Sequence, residues 1–154
     1  MTLLAPMQSE NIADIDQIEV GDRASYTFRV TAAEIDTFAK LSADNNSLHV
    51  DDEFANRRGF PSRVAHGMLT LSAISKLIGT QLPGHGSLWM SQDLQFVQPV
   101  LVDTELLAEV RVTAVSGAAQ IVVLETTVKN VATAATVLRG TAKVRVPREK
   151  PAAP

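Results

Sequence analysis

The chain has 154 residues, of which 45% are hydrophobic, with a formal net charge of −3 and no cysteine. This length and composition predict one domain with a real core and exclude disorder of the whole chain. The charge argues against nucleic acid as a partner, and the missing cysteines remove disulfides, thiolate metal sites and thiol nucleophiles.

Residues 1–17 read as an N-terminal arm. The chain opens Met-Thr-Leu-Leu-Ala-Pro-Met, without a basic start and with too short an apolar stretch for a signal peptide. No apolar run reaches the length of a membrane span, so no membrane partner is expected and the expected location is cytoplasmic. Val20-Gly21-Asp22 is a turn signal, and Ala24 to Val30 alternates as a strand with Tyr26 and Phe28 on one face. Thr31 and Glu34 form a capping-box pattern ahead of Ile35, Phe38, Ala39 and Leu41 at helical spacing. That helix should stop near Ala43, where Asp44-Asn45-Asn46-Ser47 prefers a turn.

Val50 to Arg58 predicts a short helix with Asp51 and Asp52 at its positive end, and Gly59 to Ser62 a loop. Gly67 to Leu82 is apolar on too many sides for a surface helix, so it should be buried. Leu82-Pro83-Gly84-His85-Gly86 breaks it, with His85 a loop residue. Four strands follow. Leu88, Met90, Gln92, Leu94 and Phe96 share a face of the first, and Leu106, Ala108, Val110 and Val112 a face of the second. Gln120 to Val131 and Thr136 to Val146 are the others, the last with Arg139, Thr141, Lys143 and Arg145 outward. Residues 147–154 are rich in Pro and Ala and read as a disordered tail.

Strands this close in sequence should pair antiparallel. The expected fold class is α+β: one long buried helix wrapped by a curved antiparallel sheet, with small helices inserted after the first strand. This is the hot-dog arrangement, spanning residues 18–146 as one domain. It leaves a sheet edge that a second copy can cover, so a homodimer is expected.

The chemistry-bearing residues lie in two blocks. Asp44 and His49 offer an acid/base pair across a polar turn, able to hold one water between carboxylate and imidazole. Asn46 can contact substrate or hold the turn. Gly67 opens the buried helix, where N–H groups lack intrahelical partners and the dipole is positive. A thioester carbonyl placed there would be polarised, and its enolate stabilised. Each residue also has a plain structural reading: Asp44 as a helix-end turn residue, His49 as a surface histidine, Gly67 as a packing position. His66 reads as structural or shape-setting. A metal held by Asp44, His49 and His66 matches no standard zinc spacing, so no metal is expected. Ser72 and Ser75 can bond back to the preceding turn. Arg57, Arg58 and Arg63 read as a solvated face, with contact to phosphates or a substrate carboxylate as the other possibility. Met68, Leu71, Leu94 and Phe96 could line an acyl tunnel but read more simply as core. The stretch Gly67 to Leu82 holds no Asp or Glu, which argues against a thioesterase.

At Phe38, Leu41, Ser42, Ala43, Asp44, Asn46, Ser47, Leu48 and His49 the chain resembles the MaoC-like family of R-specific enoyl-CoA hydratases and dehydratases. His66-Gly67-Met68-Leu69, Ser75 and Gln81 to Ser87 extend the likeness, which covers roughly residues 20–146. The resemblance implies syn hydration of a trans-2-enoyl-CoA to the R-3-hydroxyacyl product. It assigns proton transfer and water positioning to Asp44 and His49 and the oxyanion hole to the Gly67 amide. Asn46 and Ser75 map onto substrate-contact positions, and no cofactor is implied. Carrier-protein thioesters, branched or dicarboxylic acyl-CoAs, and non-catalytic acyl-thioester binding are the alternative readings. Two positions depart from the motif: Ala43 stands where the family has Gly, and Ser47 where it has Pro. Ala43 must either stay helical or accept left-handed strain.

Overall fold

Leu71, Ala73, Ile74, Leu77 and Ile78 recur at helical spacing and force the segment that carries them inside the protein. The computed structural model, which describes residues 11–148, places them on a 14-residue helix, α4 (Gly67–Thr80). Before it come β1 (Arg23–Arg29), α1 (Ala32–Ser42), α2 (Ser47–Val50) and α3 (Asp52–Arg57), and after it β2 (Leu88–Phe96), β3 (Glu105–Ser116), β4 (Ile121–Asn130) and β5 (Thr136–Arg145). Among the described residues no helix is long and apolar enough to cross a membrane.

The strands form one five-stranded sheet in the order β1-β3-β4-β5-β2, with every pairing antiparallel. Leu106, Ala108, Val110 and Val112 of β3, Val122, Leu124 and Val128 of β4, and Leu138, Ala142 and Val144 of β5 are fully buried and meet α4 in one core. Their outward neighbours Arg139, Thr141, Lys143 and Arg145 are exposed, as alternation requires. The inner face is not wholly apolar. Thr126 is fully buried, and Gln92 donates from Nε2 to its hydroxyl at 3.0 Å. Gly140 makes room for this: a side chain there would run into the Asp93 carbonyl and come within 2.5 Å of Gln92 Nε2.

The α+β hot-dog reading of the sequence holds, with three local corrections. Val50 to Arg58 is not one helix. Asp51 ends α2 and caps α3, accepting from Phe54 N at 2.9 Å, and an extended backbone at Asp51 separates the two. In β2 the register shifts between Trp89 and Ser91. The bulge reverses the facing of the strand's first residues, so Trp89 packs on the core while Leu88 and Met90 are 56% and 55% exposed. Leu41 completes the helical period of α1 yet is exposed, because only Ile35 and Ala39 of α1 are buried.

The expected capping box is present. Thr31 Oγ1 accepts from Glu34 N, and Glu34 Oε2 accepts from Thr31 N. At its other end α1 stops at Ala43, which takes the left-handed conformation with φ 60. Of the two choices open to Ala43, the chain has taken the strained one.

Residues 11–17, set apart as an arm, dock on the domain. Ile12 bridges to His85, and Ile15 is buried in a short 3-10 turn. Arg148 donates to Asp16 at 2.7 Å and to the Gly117 carbonyl at 3.0 Å, and its guanidinium holds the Asp16 carboxyl below the usual carboxylate range. Residues 1–10 and 149–154, the rest of the expected arm and most of the expected tail, lie outside the described residues.

Two substitutions test these points. Gly140→Ala should lower unfolding stability by about 1–3 kcal/mol in a denaturant titration, as overpacking of an inner face does. Ala43→Gly should raise it by about 0.5–1 kcal/mol, because relief of ~1–2 kcal/mol of left-handed strain exceeds the added freedom of the unfolded chain.

Candidate active site

The segment from Ser42 to His49 is built from side chains that bond their own backbone. Ser42 Oγ donates to the Phe38 carbonyl at 2.7 Å and accepts from Asp44 N at 3.2 Å. Asp44 Oδ1 accepts from Asn46 N at 3.2 Å, and Asn46 Oδ1 accepts from Leu48 N at 3.0 Å, capping α2. The side-chain oxygen of Asn46 is therefore used to hold the turn. Ser47, in the place of a proline, is the first residue of α2, a position where proline and serine are both accommodated.

His49 lies on α2 with its side chain 14% exposed. Its Nδ1 is 2.6 Å from the Val64 carbonyl oxygen. A carbonyl only accepts, so Nδ1 carries the hydrogen and the neutral ring keeps its lone pair on Nε2. Nε2 stands 4.0 Å from Asp44 Oδ2, too far for a direct hydrogen bond. The Asp44 side chain is 53% exposed.

His66, buried at 2% exposure, lies directly before Gly67 and stacks on His49 with ring centroids 3.9 Å apart. Its Nε2 donates to the Asp44 carbonyl at 3.0 Å. Asp44, His49 and His66 thus offer donor atoms within 4.8 Å of one another. The two histidines each spend one ring nitrogen on a backbone carbonyl.

Gly67 is the first residue of α4, and its environment explains the glycine. A Cβ there would come within 2.6 Å of Phe96 Cε1, so the Phe96 ring lies directly on the Gly67 backbone. Both residues line a mostly apolar cleft of about 340 Å³, together with Val64, Met68, Val97 and Leu138. Val64 thereby joins the two halves of the site. Its carbonyl holds His49, and the residue lines the cleft that reaches Gly67.

Ser75 is not brought to this cluster. It lies on the exposed side of α4, two turns beyond Gly67. Arg63 is not part of a solvated face. Its side chain is only 12% exposed and pairs with Asp36 at 2.7 Å and Asp52 at 3.8 Å, while donating to the His49 carbonyl at 3.4 Å. It ties α1 to α2 and α3 and is spent on that task. Arg57 and Arg58 do lie exposed, against the Phe54 ring. The Val64 carbonyl went unread in the sequence because a backbone acceptor leaves no residue signature.

Comparison with known proteins places the chain in context. Residues 16–134 match the model of the MaoC like domain. An (R)-specific enoyl-CoA hydratase of Aeromonas caviae is 48% identical over 97 residues, 63% of this chain and 72% of that protein. A second (R)-specific enoyl-CoA hydratase, from Rhodospirillum rubrum, is 36% identical over 132 residues, 86% of this chain and 90% of its own length. The solved structure of an (R)-hydratase from A. caviae involved in PHA biosynthesis superposes with a TM-score of 0.82 at 42% identity, covering 85% of this chain and 98% of that one. The match spans β1 to β4, the central helix and the turn that carries Asp44 and His49, and on that extent the chain belongs to the MaoC-like family.

Proposed function

We propose that the protein is an (R)-specific enoyl-CoA hydratase that adds water reversibly and syn across the double bond of a trans-2-enoyl-CoA. The observation that carries this reading is the 4.0 Å separation of His49 Nε2 and Asp44 Oδ2. Both atoms are acceptors when the ring is neutral and the carboxylate ionised, so neither can bond the other. A water has two O–H donors and can give one to each, at about 2.8 Å. The same water keeps its oxygen lone pairs for the electrophile.

The chemistry follows from that pose. The water oxygen attacks C3 of the enoyl thioester while the Asp44–His49 pair takes its proton. The Val64 carbonyl on Nδ1–H and the carboxylate beside Nε2 both stabilise the imidazolium that forms. Negative charge moves to the thioester oxygen, which takes the Gly67 N–H at the positive end of α4. The pair then returns the proton to C2. Because one water and one pair serve both carbons from one side, addition is syn. The acyl chain occupies the apolar cleft lined by Gly67 and Phe96. Asn46 acts by holding the turn, and the reaction needs no cofactor.

The sheet edges support a homodimer. Edge strand β1 presents Arg23 and Arg29, paired with Glu109 and Glu105, and a charged edge resists further pairing. The other edge, β2, exposes Leu88, Met90 and Phe96. A second copy seated on β2 covers that apolar row.

Hydration of crotonyl-CoA, followed by loss of enoyl absorbance, tests the chemistry. Asp44→Asn keeps an acceptor for Asn46 N, and His49→Ala leaves α2 intact, so both should fold. Each should lose at least ~100-fold in turnover, the scale of a missing general base. Near-wild-type turnover in both would sink the assignment, and an S-configured product would overturn the stereochemistry. For the assembly, Leu88→Lys with Met90→Lys should convert a sedimenting dimer to monomer. A wild-type chain that sediments as a monomer at micromolar concentration would refute it.

A further inference from the structure

His66 is costly to bury and has no task in its own helix. It is 2% exposed, and as the N-cap residue of α4 it makes no side-chain cap hydrogen bond. Its Nδ1 is buried without a hydrogen-bond partner among the described residues. A residue needed only to fill this space would be apolar, since an unpaired buried acceptor lowers stability. The ring is instead engaged through its other nitrogen and its faces. Nε2 donates to the Asp44 carbonyl at 3.0 Å, a hydrogen bond spanning 22 residues of sequence. The ring stacks on His49 at 3.9 Å with a 31° tilt, and Phe38 packs against it at 4.9 Å. Its own carbonyl accepts from Thr70 N in the first turn of α4.

We infer that His66 is a positioning residue for the reaction. It fixes the peptide of Asp44 through Nε2–H and braces the His49 imidazole with its ring. Being bonded covalently to Gly67, it sets the distance from the acid/base turn to the oxyanion amide. The left-handed backbone at Ala43 makes this clamp necessary, because a strained turn returns to relaxed geometry unless something outside it holds the next peptide. Two groups that must act on one substrate from separate elements gain most from such a coupler, and misplacement by about 1 Å is worth ~100-fold in rate.

This inference rests on the proposed roles of Asp44 and His49, and its test separates the two. In the full chain, His66→Phe keeps a ring but has no donor, whereas His66→Gln offers an amide N–H near the position of Nε2. For each variant the measurements are kcat and KM for crotonyl-CoA, affinity for unreactive butyryl-CoA, and Tm. His66→Phe should lose about 100-fold in kcat. Its KM and butyryl-CoA affinity should stay within about threefold of wild type, since the lost interaction acts in the transition state. His66→Gln should recover about tenfold of that loss, because it restores the donor. Wild-type kcat in His66→Phe, a loss confined to KM, or no recovery in His66→Gln overturns the inference. If His66→Phe does not fold, His66→Met takes its place in the same comparison. If Asp44→Asn is fully active the proposed chemistry fails, whereas an inactive Asp44→Asn with an active His66→Phe rejects the positioning role alone.

Discussion

The Val64 carbonyl lies 2.6 Å from His49 Nδ1, and this contact decides which nitrogen of the imidazole keeps its lone pair. Turn the ring over and the acceptor would point into the protein, with only an N–H facing Asp44. The carbonyl is itself fixed on several sides. Val64 N donates back to the Leu48 carbonyl at 2.9 Å, Val64 bridges to Leu101, and Ala65 N donates to the Val100 carbonyl at 2.7 Å. Residues 64 and 65 are thus bolted to the strand connection after β2 just before the chain enters α4. The helix burial, the loop pairing and the histidine tautomer form one mechanical chain, the arrangement by which outer partners orient reacting side chains.

Much of this could be read from residues alone, for identifiable reasons. The period of Leu71, Ile74, Leu77 and Ile78 could only be a buried helix, and the alternation in β3 and β5 could only be half-buried strands. Thr31 and Glu34 announce their own helix start. What escaped was set by backbone or by tertiary pairing. One bulge at Met90 changes the facing of Trp89 without altering any residue's propensity. Asp51 caps one helix while ending another, and a single Asp in sequence does not say which. Arg63 looked like part of an arginine-rich surface, and its true partners, Asp36 and Asp52, lie on other elements. For the candidate site, Asp44, His49 and Gly67 were legible as candidates because side-chain type and helix position mark them. The distance between them was not, because the contacts beside them, His66 to the Asp44 carbonyl and His49 to the Val64 carbonyl, join residues far apart in sequence.

The polar groups inside the protein fall into two kinds. Gln92 donates to Thr126 within the sheet, in the space that Gly140 leaves, and this bond serves register. Arg63 and His66 instead cross between elements and serve the turn. The first kind is removable in principle by apolar repacking. Removing the second would take away the contacts that tie α1, α2 and α4 together around the candidate site.

Ala43 gives the site an uneven mechanical character. The strain at φ 60 lowers the free energy needed to open the Ser42–Asn46 turn locally, while α4 opens only when the whole core does. In hydrogen exchange, the amides around Asp44 should therefore fall in the fast class, and those of the inner turns of α4 in the slowest. In the roles proposed for them, the half of the site that handles the proton would be compliant and the half that stabilises charge stiff. Substrate binding then has one side that yields to it and one that does not.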